Sequence, residues 1–199
     1  MSDSAMQRAA VAVAHPDDET IWCGGSILLR PEWTWRIVTL CRASDADRSA
    51  RFRWALGALG ADGEMADLDD GPEQQPLAEV DLQITLQRLL GDRRYDYILT
   101  HSPFGEYTRH RRHEEVARTV LALWEAGLID TTELWFFAYE DDGGSRRPRP
   151  IEDADRVVQL PEAVYEEKIQ IVRDIYGFPP GGFEVESAGR SEAFWIFKL

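Results

Sequence analysis

Residues 9–19 read Ala9-Ala10-Val11-Ala12-Val13-Ala14-His15-Pro16-Asp17-Asp18-Glu19, and Gly24-Gly25 follows within a few residues. The apolar run has the length of a buried strand, and it stops at a histidine, a proline and three acids. A strand ending this way puts polar groups at the carboxyl edge of a sheet, where open α/β folds bind ligands. His15 and Asp18 stand three positions apart on a tight turn, so both can point at one metal ion. Asp17 can then face whatever that ion binds, which makes half a zinc site plus a general base. The competing reading is a polar turn that caps a helix at Asp18 or Thr20. A single His-x-x-Asp is a weak motif, so the rest of the chain has to choose.

Outward from this stretch, strands and helices alternate. Apolar spacing and glycine stops predict a helix from Ile21 to Leu29 and a strand from Trp35 to Cys41. A helix carrying Phe52, Ala55, Leu56 and Leu59 then stops at Gly60. Met65–Asp69 reads as a third strand, Leu82–Leu90 as a helix closed by Gly91, and Tyr95–Thr100 as a fourth strand. A helix with Val116, Val120, Leu121 and Trp124 precedes the strand Leu134–Tyr139. Residues 140–155 read as a loop, Val164–Ile175 as a helix closed by Gly177, and Phe194–Phe197 as a last strand. This alternation predicts an α/β fold, a Rossmann-like three-layer sandwich with a mostly parallel central sheet, as a single domain over residues 1–199. Right-handed crossovers put the loops after the strands on one edge. There His15–Glu19, Asp45, Asp69-Asp70 and His101–His113 are expected to converge.

Composition narrows the partners. The chain has 199 residues, 44% of them apolar, and a formal net charge of −14. Such an acidic surface repels phosphate backbones and anionic lipid heads, so no nucleic acid and no membrane partner is expected. Met1–Arg8 is short and polar, without a signal-peptide core, which predicts a cytoplasmic location. Cys23 and Cys41 form no Cys-x-x-Cys pattern and read as reduced, packed thiols.

All four histidines, His15, His101, His110 and His113, sit at or just beyond the ends of expected strands. His110 and His113 have i, i+3 spacing at a helix start, which puts both rings on one face. One can bind a metal while the other faces a substrate. Alone, the stretch would also fit a solvated basic turn, given Arg109, Arg111 and Arg112. Beside His15-x-x-Asp18 it argues for a metal site.

With Ala14–Glu19 and His110–His113 in view, the chain resembles the LmbE-like, PIG-L zinc-dependent deacetylases. That resemblance implies a Rossmann-like fold and a hydrolase that removes the acetyl group from N-acetylglucosamine-type units of small conjugates. It implies one Zn2+ per chain, with Fe2+ fitting the same donors, held by His15, Asp18 and His113. It implies Asp17 as general base and then acid, and His110 as the oxyanion-stabilising residue. It further implies that Arg48 and Asp69 bind the sugar. Two departures stand out. Arg111-Arg112 occupies the interior of the His-x-x-His, where the family usually has Pro then Asp or Asn, and the capping loops are short. If the arginines reach the rim of the site, they would favour an anionic substrate. The sequence also speaks against a nucleotide-binding module, because acids stand where a Gly-rich phosphate loop would be.

Overall fold

The computed structural model describes residues 6–107 and 110–198. Its sheet starts from β1 (Arg8–Val13), β2 (Thr34–Cys41), β3 (Ala61–Leu68), β4 (Arg94–Thr100) and β5 (Asp130–Phe137). These five are parallel neighbours in the order β3-β2-β1-β4-β5. The C-terminal strand β9 (Ser191–Lys198) adds antiparallel to β5, and β8 (Arg156–Gln159) adds antiparallel to β9. The sheet is therefore mostly parallel, as the alternation predicts. A two-stranded ribbon pairs β6 (Tyr139–Glu140), which starts at the last residue of the expected fifth strand, with β7 (Arg149–Pro150) in the segment that reads as loop.

The helices divide between the two faces. α1 (Asp18–Leu28), α2 (Ala46–Leu59) and α5 (Glu162–Gln170), with the π turn Ile171–Ile175 that continues it, cover one face. α3 (Glu79–Leu90) and α4 (Arg111–Glu125) cover the other. β1 serves both, because its side chains alternate: Ala9, Val11 and Val13 join the first core, Ala10, Ala12 and Ala14 the second. A short α6 (Phe183–Ser187) follows.

Two details depart from the sequence reading. β3 begins at Ala61 rather than Met65, because Gly63 is no turn residue: a Cβ there would collide with the Ile37 carbonyl of β2. β8 and α6 were not foreseen, being short, polar and next to prolines and glycines. Close approach does explain Gly25, where a Cβ would run into the Leu160 methyls. Behind Gly25, Glu192 and Lys168 form a fully buried pair at 2.7 Å, and Glu192 also accepts the N–H groups of Gly25 and Ser26 at 2.7 Å each.

Strand order reverses at β1, since β2 and β4 flank it on opposite sides. Side-chain-bearing loops after β1 and β4 diverge at such a switch point and leave a crevice. His15 follows β1 and His101 follows β4.

Candidate metal centre and active site

The crevice is a cleft of about 370 Å3, lined by His15, Asp17, Asp18, Trp22, Arg42, Arg48, Asp70, Tyr107, His110, Phe183 and Glu184, among others. The β1–α1 turn sets its floor. Asp17 occupies the cap position of α1, yet its carboxylate makes no cap bond. It reaches instead to Arg48 Nη1 at 2.9 Å. The helix-capping reading of this stretch therefore does not describe how the acids are used. Asp18 turns back: Oδ2 accepts the His15 N–H at 2.8 Å and lies 3.1 Å from His15 Nδ1, while Oδ1 accepts from Trp22 Nε1 at 3.2 Å.

Asp17 has φ 131°, a conformation that costs a non-glycine residue about 1–3 kcal/mol. Glu19 holds it there. Fully buried, Glu19 accepts the Asp17 N–H at 3.0 Å through Oε2, and through Oε1 it accepts the hydroxyls of Thr20 and Tyr176 at 2.6 Å each. Tyr176 directly follows the π turn, so the third acid of the motif is a bracket between two helices. Burial, then the charge of Asp18, hold the Asp17 carboxyl well above the usual range, and Arg48 pulls it partly back.

From the other side, α4 begins at Arg111 with His110 as its cap residue, and His113 sits in the first turn. His110 and His113 stack at 4.2 Å between ring centroids, and His15 meets both at 5.0 and 5.4 Å. His113 Nδ1 is 2.7 Å from Glu106 Oε2. That carboxylate accepts from Nδ1 and so leaves Nε2 as the nitrogen that can ligate an ion. Nε2 is buried, has no hydrogen-bond partner among the described residues, and faces Asp18 Oδ1 at 3.4 Å.

Donor atoms of His15, His110 and His113 all lie within 4.8 Å of one another, and so do those of Asp18, His101 and His113. The second set is not free to bind. The Ala14 N–H donates to His101 Nε2 at 3.0 Å, and His101 Nδ1 faces Glu106 at 3.2 Å. His101 is fully buried and stacks on His113 at 3.7 Å, so it is a wall that orients its neighbour. The candidate donors are therefore His15, Asp18, His113 and His110.

Electrostatics asks for a cation here. Although burial opposes it, hydrogen bonds that the ring donates to Asp18 and Asp70 lift His15 to about 9. Burial likewise opposes ionisation of Asp18, but His113 and His101 hold its carboxyl well below the usual range. Buried carboxylates thus hold protons on imidazoles whose other role is to ligate, and a divalent ion can replace those protons. An unpartnered buried Nε2 and a mixed imidazole–carboxylate donor set fit such an ion. His110 differs: burial, then His113 and His15, push it down to about 3, so its ring is neutral and offers one N–H.

Other expected residues are placed less simply. Arg48 reaches the cleft, on the first turn of α2, whose cap residue Asp45 accepts the N–H groups of Asp47 and Arg48. Asp69 does not line the cleft; its side chain is 63% exposed and meets Arg112. The next residue, Asp70, faces inward, 3.2 Å from His15 Nε2, and takes Arg42 Nε at 2.7 Å. Arg112, expected as a rim cation, is 1% exposed. It bonds the carbonyls of Asp69 and Gln75 at 2.7 and 2.8 Å and Glu115 at 2.6 Å, and so ties down the β3–α3 loop. Arg111 is exposed and borders a neighbouring cavity of about 620 Å3 that shares His110 with the cleft. Arg109 lies outside the described residues. The role of Glu106 toward His113 is not part of the sequence reading, although a carboxylate seven residues before His113 is a signal for a histidine orienter. That reading also passed over Trp22, Tyr107 and Phe183, which form the apolar wall, with Tyr107 stacked on Trp22 at 5.9 Å and against Phe183 at 5.0 Å.

The family model "PIG-L: GlcNAc-PI de-N-acetylase" matches residues 10–124, from β1 through most of α4. The chain belongs to this family. No significant match is found among curated proteins. Solved structures match over nearly the whole length. N,N'-diacetylchitobiose deacetylase from Pyrococcus horikoshii has a TM-score of 0.73 at 14% identity, covering 98% of this chain and 85% of that one. The hydratase GalB, a 4-carboxy-2-hydroxymuconate hydratase from Pseudomonas putida KT2440, has a TM-score of 0.67 at 14% identity, covering 98% and 97%. The zinc-inhibited form of teicoplanin deacetylase Orf2 has a TM-score of 0.65 at 12% identity, covering 97% and 99%. At these identities the PIG-L chain and its neighbours share the fold, and the chemistry is read from the site. No helix among the described residues is long and apolar enough to cross a membrane.

Proposed function

We propose that this chain, as one PIG-L-type domain over residues 1–199, is a zinc-dependent N-deacetylase that acts on a small acetylated amino-sugar conjugate in the cytoplasm. The supporting observation is the buried, unpartnered Nε2 of His113, which faces Asp18 beside a carboxyl that neither caps its helix nor binds the same imidazoles. In this reading His15, Asp18 and His113 hold one ion. Zinc suits the donors best, and Fe2+ would accept them too. When bound, such an ion supplies a Lewis acid for an amide carbonyl and a water of lowered pKa.

The chain's own residues do the rest. Asp17 takes the proton of the attacking water and passes it to the amine nitrogen as the C–N bond breaks, because an amine anion leaves poorly. Its raised affinity for protons suits both steps. Arg48, 2.9 Å away, keeps the carboxylate oriented and lines the cleft, where sugar hydroxyls would lie. The N–H of neutral His110 stabilises the oxyanion. Trp22, Tyr107 and Phe183 offer an apolar wall to the acetyl group or the sugar face. Asp70 replaces Asp69 as the acid positioned to meet a substrate.

The hydratase among the neighbours shows that this fold hosts other chemistry, so the test reads the product. Protein purified without added metal is assayed for metal content and for acetate release from N-acetylglucosamine conjugates. His113→Ala should lose most of the metal and the activity, and His110→Ala should keep the metal. Full metal content in His113→Ala, or no acetate from any acetylated amino sugar, would refute the assignment.

A further inference from the structure

A second cluster lies behind the first. Donor atoms of His15, Cys41 and Asp70 also lie within 4.8 Å of one another. Cys41 ends β2, is 1% exposed and is a free thiol. Asp70 Oδ1 lies 3.2 Å from His15 Nε2, the ring nitrogen opposite the one beside Asp18. The two edges of one imidazole therefore serve two donor sets. Thiolate, imidazole and carboxylate together suit soft or borderline divalent cations.

We propose that Cys41, Asp70 and His15 Nε2 form a second, thiophilic cation site that competes with the site proposed above for the ring of His15. This rests on that assignment in one respect only, the part given to His15. A neutral imidazole has a single lone pair, so both ions cannot draw on His15 at once. An ion entering the second site replaces the thiol proton of Cys41, which passes to solvent, and the Nε2 proton of His15, which moves to Nδ1, faces Asp18 there and closes that nitrogen to the first ion. The route in is the cleft, which Asp70 and Arg42 line. Arg42 is the side chain to be displaced; its guanidinium pairs with Asp70 and is 46% exposed, so it can swing out. Cys23 is a different case, since it sits in α1 and its thiol donates to the Glu19 carbonyl at 3.2 Å. Such a site would make the enzyme sensitive to cadmium or to excess zinc.

The experiment titrates Cd2+ into zinc-loaded protein and follows the ultraviolet thiolate-to-cadmium charge-transfer band, with released zinc read by a colorimetric chelator. Wild type should show a band that saturates near one equivalent and releases zinc in step. Cys41→Ser should lose the band and keep its zinc; Cys23→Ser should behave as wild type. Asp70→Asn should weaken cadmium binding about tenfold, which covers the case of a poorly folding Cys41 variant, and Arg42→Gln should tighten it. A band absent from wild type, or one that survives Cys41→Ser and vanishes in Cys23→Ser, would overturn the proposal. Neither readout needs turnover. A failed deacetylase assay and a failed cation site are therefore separate results.

Discussion

Replacing Arg112 by Met tests whether the arginine inside the His-x-x-His is structural. Met keeps most of the side-chain volume and removes the guanidinium. Four contacts go: the carbonyls of Asp69 and Gln75, the carboxylate of Glu115 at 2.6 Å, and that of Asp69 at 3.3 Å. The contact with Asp69 Oδ2 carries little weight, because that carboxylate is 63% exposed and water replaces the arginine. The two carbonyls belong to a surface loop and can rehydrate in part. Glu115 cannot do so readily, being 13% exposed, with the Leu77 N–H at 3.2 Å as the other partner of its side chain among the described residues. Breaking a buried pair on one side costs about 3–5 kcal/mol; partial exposure of Glu115 puts the expectation at about 3 kcal/mol. For a domain of this size that lowers Tm by roughly 6–12 °C. Urea and thermal unfolding, with Arg111→Gln as a surface control, measure it. Because the same loop carries Asp70, metal affinity should fall as well, while the salt dependence of kcat/KM should not change. A cost under about 1 kcal/mol, or a salt dependence lost in Arg112→Met alone, would return Arg112 to the rim.

Asp17→Asn should keep its metal and lose about two to four orders of magnitude in turnover; metal loss in that variant would exchange the roles of Asp17 and Asp18. Arg48 lowers the proton affinity of Asp17, so Arg48→Gln should raise it and move the acid limb of the kcat/KM profile to higher pH. An unmoved limb would mean that some other group is the base. Glu106→Gln should weaken metal binding by about 10–100-fold in a competitive chelator titration, with unchanged affinity refuting its role as orienter of His113. Gly25→Ala should cost about 1–3 kcal/mol through collision with Leu160; a shortened Leu160→Ala partner should restore part of that loss.

How much of this was legible in the sequence follows from how local each feature is. β1 and its turn could be read directly, because a strand buried on both faces shows as an unbroken apolar run and its polar end follows at once. Helix ends at Gly60 and Gly127 were legible too, as φ of 65° and 66° favours glycine. Asp69 and Asp70 could not be told apart: in the loop beyond β3 a one-residue choice decides which acid turns inward, and Arg112, 42 residues on, makes that choice. The burial of Arg112 left no trace in the sequence, because Arg111 beside it has the same composition and the opposite environment. Phe183 and Glu184 reach the cleft from a five-residue helix after Pro179-Pro180-Gly181-Gly182, a stretch that reads as punctuation.

The bond from Gly25 to Glu192 spans 167 positions. It fixes an order of events as well as a shape. α1 carries Asp18 at its first turn, but its packing against the sheet is completed only when β9, near the end of the described chain, slides in beside β5 and delivers Glu192 to Gly25, Ser26 and Lys168. Until then the helix that follows the motif lacks its clamp at Gly25 and Ser26. A ribosome-bound chain with β1 to β5 already paired would present His15 and Asp18 at the start of a helix whose other end is not yet anchored. Closing so long a loop is slow by comparison with local contacts. The cleft should therefore be the last part of the molecule to become rigid, even though its first ligands are among the earliest residues made.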